Sequence, residues 1–266
     1  MKRFAALAVS LVAMAGVVSC GGGGDDVVGA PSGPSAEGYY AGTLAVIDQG
    51  NLAVPGSSTA FQMLVLENGQ FWTIYGTNNG VSLDVEGFAQ GNGTSNGSMF
   101  LAAGVRNFAN PPPAVATNAF ASAGYNASAK SISGTITDSA TTSTITSSPQ
   151  SAYDYNAAAD LASLAGSWTV RGQGNDQHTL TVALNGNFSA TVGSVSGCPF
   201  SGSFVPRPSA KNVFNVSVIN GGSPCLNEGL LSAGVAYLVP AGAGFQLTFA
   251  TLSADRQLGA VVYGVR

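Results

Sequence analysis

The chain has 266 residues, of which 45% are hydrophobic and only 8% charged, and its formal net charge is −4. Ordinary soluble domains carry about 25% charged residues, so its solvent-facing surface must be built from Ser, Thr, Asn, Gln and Gly instead. An acidic, lysine-poor surface argues against nucleic acid as a partner and against adhesion to anionic lipid headgroups.

The chain opens with the short basic segment Met1-Lys2-Arg3. An apolar run of Ala, Leu, Val and Met follows from Phe4 to Val17, and Val17-Val18-Ser19-Cys20 closes it. These are the parts of a secretory signal peptide, and the run is too short to span a bilayer comfortably. The leader resembles that of bacterial lipoproteins, whose lipobox cysteine is acylated and becomes the first mature residue. The resemblance implies that residues 1–19 are removed and that Cys20 carries the lipid. The family bears a diacyl group plus an N-acyl chain, and stable anchoring requires more than one chain. Loss of Lys2 and Arg3 moves the net charge from −4 to −6. Gly21 stands where an Asp would signal inner-membrane retention in that family. The implied location is therefore the outer membrane, at its periplasmic face or at the cell surface.

Residues 20–36 hold Gly21-Gly22-Gly23-Gly24, Asp25-Asp26 and a Gly/Ala/Pro/Ser stretch. Such a segment cannot bury enough apolar surface to fold. It reads as a tether with an end-to-end distance of about 20–25 Å. With Cys20 assigned to lipid, Cys198 and Cys225 remain in an oxidising compartment and are expected to pair. Closing that loop contributes roughly 3–4 kcal/mol. Two Cys without neighbouring His do not make a zinc site, so no metal or cofactor is expected.

After Glu37 the chain shows short runs rich in Val, Thr, Phe, Tyr and Ile, broken by Gly and Asn. This is the pattern of an antiparallel all-β protein. Phe61 to Trp72 reads as a hairpin turning on Asn68-Gly69, and Thr179 to Phe188 as a second turning on Asn185-Gly186. Asn-Gly favours the positive φ angles of such turns. Aligning the turns matches Met63 with Leu180, Val65 with Val182, and Phe71 with Phe188. A Gly-aromatic opening precedes each hairpin: Gly38-Tyr39-Tyr40 in the first half and Gly166-Ser167-Trp168 in the second.

These repeats predict two small antiparallel β-barrel or sandwich domains related by internal duplication, over residues 37–150 and 156–266. Strands in the second half are expected near 166–173, 178–184, 187–193, 199–205, 212–219, 230–239, 244–252 and 257–265. A helix over Asn156 to Ala165, stopped by Gly166, would plug the second barrel or join the domains. Pro111-Pro112-Pro113 must form an excursion between strands. The strands are mostly shorter than lipid-facing ones, and many have a Ser, Thr or Asn face, which predicts soluble barrels.

The residues that could carry chemistry are few. His178 starts a strand beside Asp176 and reads as a solvated residue. Gly93-Thr94-Ser95-Asn96-Gly97 fits the G-x-S-x-G pattern, but that motif needs a strand-to-helix elbow, and here another strand follows. Asp84 and Glu86 share one strand face and read as solvated acids or a weak cation site. Gly172-Gln173-Gly174 has no helix behind it and is not a nucleotide loop. No catalytic set emerges, and a hydrolase drawn on His178 and Ser95 would have to span both halves. Candidate binding residues are Trp72 and Tyr75, from the aromatic cluster of the first half, and Arg207 and Lys211, which flank a basic loop inside the Cys198–Cys225 segment.

The anchor, the Gly-rich tether and the barrel-like patterning are similar to those of surface lipoproteins such as the transferrin-binding and factor H-binding types. The resemblance implies a non-enzymatic, lipid-anchored protein presenting β-barrel modules to a host or envelope macromolecule. It carries over no binding motif and no oligomeric state. The alternative expectation is a lipocalin-like carrier of a small apolar ligand inside a barrel.

Overall fold

The computed structural model describes residues 35–50, 52–109, 116–148, 152–172, 176–192, 197–223, 225 and 227–266. Cys20, most of the tether, Gln173-Gly174 and the Pro111-Pro112-Pro113 excursion lie outside the described residues. Both barrels belong to one compact unit, Pro31–Arg266.

The first half folds as β1 (Gly38–Asp48), β2 (Ala60–Val65), β3 (Gln70–Asn78), β4 (Leu83–Asn92), β5 (Thr94–Asn96), β6 (Met99–Ala109), β7 (Thr117–Asn126), β8 (Ser131–Asp138) and β9 (Thr141–Ser147). The sheet runs β4-β3-β2-β1-β9-β8-β7-β6-β5, and a β4–β6 pairing closes it. Phe88 sits opposite Phe108 at that seam, while β5 covers the other half of β6. The second half folds as β10 (Gly166–Gly172), β11 (Gln177–Val182), β12 (Asn187–Val192), β13 (Phe200–Pro206), β14 (Phe214–Asn220), β15 (Leu231–Ala241), β16 (Gly244–Ser253) and β17 (Gly259–Val265). These strands form a closed barrel in sequence order. The fold is therefore a pair of eight-stranded antiparallel barrels, and among the described strands closure leaves only the short β5 paired on one side alone. Closure also decides between barrel and sandwich.

Each barrel is filled by its inward residues. Met63, Val65, Phe71 and Phe100 lie in the first interior. Leu180, Val182, Phe188, Phe204 and Phe249 lie in the second. The residues aligned by the two Asn-Gly turns thus occupy matching inward positions. The turns match in detail as well. Gly69 N donates to Leu66 O and Gly186 N to Ala183 O, with φ of 79° and 85°. That conformation suits glycine and strains other residues.

The helix expected over Asn156 to Ala165 is replaced by a single 3₁₀ turn, Leu161–Ser163. Asp160 caps it by accepting from Ala162 N, so the alanine run lies before the cap rather than inside a helix. The turn still plugs barrel 2. Leu164 is fully buried in the second interior, and Trp168 Nε1 donates to Leu164 O at 2.8 Å. Arg266 lies 4.1 Å over the Trp168 ring and donates to Ala165 O and Ser163 O. Barrel 1 is closed in the same way: Tyr40 donates through its hydroxyl to Ala36 O at 2.8 Å, and Ala36 is fully buried.

A third apolar core lies between the barrels. Leu64, Leu66, Trp72, Ile74 and Phe88 from the outer face of barrel 1 pack with Val235, Tyr237, Val239, Ala250 and Val261 from the outer face of barrel 2. Burial on both faces explains why Met63-Leu64-Val65-Leu66 and Val235 to Val239 are continuous apolar runs, as in other strands covered on both sides. Strands β8 to β13 alternate, and their outer faces carry hydroxyls such as Thr135, Ser167, Thr181, Ser189 and Ser201. Polar bonds pin the inter-barrel contact. The Gln246 side chain brackets Leu83, donating to its carbonyl at 2.7 Å and accepting from its N–H at 3.0 Å. Tyr237 donates to Gln62 Oε1.

Candidate functional site: the mouth of barrel 1

The end of barrel 1 opposite the Ala36 plug opens into a cup of about 450 Å³. It forms where the inner faces of β1, β3, β6 and β8 run out at Val46, Tyr75, Asn107 and Asp138, beneath the Val54–Ser58 loop. A hydrogen-bonded chain rings it. Tyr75 donates through its hydroxyl to Asn107 Oδ1 at 2.8 Å, and Asn107 Nδ2 donates to Asp138 Oδ2 at 3.2 Å. Asp138 Oδ1 accepts from Ala140 N and Thr141 N at 2.8 and 2.7 Å. Glu86 accepts from Ser58 Oγ at 2.5 Å and from Thr77 Oγ1 at 2.8 Å.

The electrostatics of the cup follow from these bonds. Burial pushes Asp138 up, but the N–H groups of Ala140 and Thr141, with Asn107, outweigh it and hold the carboxyl below its usual range. Burial first, then the Asp138 and Glu86 charges, push the Tyr75 phenol well above its usual value. Tyr75 therefore stays a neutral donor, while Asp138 stays an anion.

Of the four candidate binding residues, the structure brings only Tyr75 to this cup. Trp72 is buried in the third core, 6.0 Å from the Phe88 ring and stacked on it, because the outer face of β3 packs against barrel 2. Arg207 reaches across to barrel 1, where Nη2 meets Glu67 Oε1 at 2.9 Å; it also donates to Asn215. Lys211 lies 3.5 Å from Glu37 and donates to Asn156. The basic loop is thus engaged by its own molecule. Cys198 and Cys225 form a disulfide 27 residues apart in sequence.

The residues read for chemistry lie apart. Ser95 sits on β5 in a strand-turn-strand hairpin and accepts from Ala36 N at 3.0 Å. Gly93 fits there because the Phe100 ring occupies the space a Cβ would need, at 2.1 Å. His178 is not solvated as expected. It faces inward on β11 and is buried, with its ring 5.3 Å from Phe200. Burial lowers its pKa, partly offset by Asp176. Asp84 is exposed and does not line the cup, whereas Glu86 does. Asn107 and Asp138 escaped the sequence reading because a register shift between Ala102 and Val105 breaks the alternation on β6, and Asp138 reads as an ordinary turn acid.

A larger cleft of about 600 Å³ lies beside the plugged end, among Glu37, Tyr39, Tyr40, Tyr153 and Tyr155. Its phenols are largely committed: Tyr40 to Ala36 O, Tyr153 to Asn212 O and Tyr155 to Glu37. The cup on barrel 1 is the better-furnished site.

No protein-family model matches the sequence, and no curated protein matches it. Among solved structures, the chain is similar to a candidate outer membrane protein from Bacteroides fragilis, at 11% identity over 87% of this chain and 98% of that one, with a TM-score of 0.29. It is also similar to a double mutant of Transferrin Binding Protein B from Haemophilus parasuis, at 9% identity over 86% of this chain and 75% of that one, with a TM-score of 0.31. A single mutant of the same protein gives 10% identity, 89% and 76% coverage, and a TM-score of 0.28.

Proposed function

We propose that this chain is a non-enzymatic lipoprotein, anchored in the outer membrane through Cys20, that presents two barrels as one body to a macromolecular partner. The observation that carries the reading is the third apolar core. It locks the barrels together behind a leader ending in a lipobox, and a fixed platform loses little freedom when it binds. The two barrels read as a duplication, supported by the matched Asn-Gly turns and the matched plugs. Both interiors are filled by side chains, which gives no support to a carrier of an apolar ligand inside a barrel.

Metabolic labelling with an alkynyl palmitate tests the anchor, and protease shaving of intact cells tests the display. Label should appear on the wild type and vanish in Cys20→Ser, which should also be released from the membrane fraction. The anchor is refuted by label that persists in that variant. Full protection from protease, under conditions that strip known surface proteins, removes the surface role.

A further inference from the structure

The cleft of about 600 Å³ beside the plugged end of barrel 1 contains one phenol that the fold does not use. Tyr40, Tyr153 and Tyr155 commit their hydroxyls to Ala36 O, Asn212 O and Glu37. Tyr39 lines the same cleft, and its hydroxyl has no hydrogen bond among the described residues. The side chain is only 8% exposed, so this polar group is nearly enclosed and unmatched, which native structures seldom tolerate. Its ring is held against those of Tyr153, 4.6 Å away, and Tyr237, 6.0 Å away. Burial pushes the phenol well above its usual pKa, so it stays neutral and can both donate and accept.

A cation stands in the same cleft. Lys130, in the turn between β7 and β8, is exposed and lines it. No described carboxylate pairs with Lys130. Glu37, the one acid among the described lining residues, is met instead by Lys211 at 3.5 Å and by the Tyr155 hydroxyl. Lys130 also holds φ at 48°, a left-handed conformation that glycine adopts freely and other residues adopt at a cost. The turn favours glycine, yet it carries a lysine with no partner in its own molecule. Ser148 and Asn156 are exposed on the rim, and Ala127 and Ala152 add small apolar surface. The volume falls within the range of about 300–1,000 Å³ typical of small-molecule pockets.

We propose that this cleft binds an acidic sugar, with its carboxylate on Lys130 and a ring hydroxyl exchanging hydrogen bonds with Tyr39. The unpaired cation sets the charge of the ligand. The phenol, which can donate and accept, matches the hydroxyls that a sugar carries around its ring. Ala127 and Ala152 meet its C–H faces. The site is independent of how the chain is anchored.

Titration calorimetry of the full chain at low salt and neutral pH tests the site, with D-glucuronate as probe. Glucose, which lacks the carboxylate, and cyclohexanecarboxylate, which lacks the hydroxyls, serve as controls. Glucuronate should bind about tenfold more tightly than either. Tyr39→Phe and Lys130→Gly should each weaken glucuronate about tenfold. Neither should lower the melting temperature, because Tyr39→Phe removes a hydroxyl without a partner and glycine suits the φ of residue 130. Arg171→Gln removes an exposed cation outside the cleft and should leave binding unchanged. The proposal fails if glucuronate does not bind, if either control matches it, or if Tyr39→Phe or Lys130→Gly keeps full affinity. Equal losses in Lys130→Gly and Arg171→Gln would mark a general charge effect and overturn it. A fall in the melting temperature of Tyr39→Phe would give the hydroxyl a structural role and overturn it as well.

Discussion

At the plugged end of each barrel an aromatic side chain reaches back to a carbonyl four residues earlier, Tyr40 to Ala36 and Trp168 to Leu164. At the other end the barrels diverge. Barrel 1 ends in Tyr75, Asn107 and Asp138 around an open cup. Barrel 2 ends in His178 and Phe200, ring against ring, with the Cys198–Cys225 bridge beside them. The inner layers and the plug obey packing rules that leave little choice of residue. The far end is released from those rules, so polar groups survive there in one barrel and are replaced by rings and a covalent staple in the other.

Removing the Trp168 ring should break this comparison most severely. Trp168→Ala is expected to destabilise by about 3–5 kcal/mol, whereas Tyr40→Phe, which loses one hydrogen bond and keeps the ring, should cost about 1 kcal/mol. Thermal unfolding of the two variants measures the contrast, and equal losses would mean that the plugs are not equivalent. Reducing the disulfide should cost about 2–4 kcal/mol and act on barrel 2 first. Amide exchange should quicken in β13 and β14 before β7 and β8, and uniform acceleration would contradict a local staple. Cutting the Arg207–Glu67 link, whose side chains are 11% and 36% exposed, with Arg207→Ala should cost about 1–2 kcal/mol, read as a shift in denaturant midpoint.

The smallest effect sharpens the comparison by pH. The one histidine of the chain is His178, and burial lowers its pKa from the ordinary 6.5 while Asp176 opposes the shift. The unfolded chain therefore takes up a proton at higher pH than the folded barrel. Stability is lost as pH falls below about 6.5 and levels off once the folded residue is also protonated. His178→Phe should flatten that acid loss relative to the wild type. Parallel stability curves from pH 7.5 to 5 would show that His178 is not its source.

Strand positions in the second half were legible nearly to the residue, because β10 to β14 alternate cleanly and Asn185-Gly186 fixes the register. The disulfide followed from the cysteine count and the oxidising compartment that the leader led one to expect. The barrel–barrel contact was also written in the sequence, in the unbroken apolar runs Met63 to Leu66 and Val235 to Val239, but a strand buried on both faces carries no alternation to say what covers it. Trp72 shows the consequence: its composition suits a contact surface, and the surface it meets belongs to the same chain. The cup was the least legible part. Shifts in register at Tyr75/Gly76 and Ala102/Val105 put Glu86 and Asn107 out of phase with their strands, and Asp138 lies far from both in sequence.

The position of β1 has a mechanical consequence. It is the first strand after Glu37, and it is hydrogen-bonded along one side to β2 and along the other to β9. Tension applied to the chain ahead of Ala36 would load two ladders together, in shear, and would meet no outermost strand to peel away. Under the proposed anchoring, pull from the membrane would strain both ladders of β1 at once.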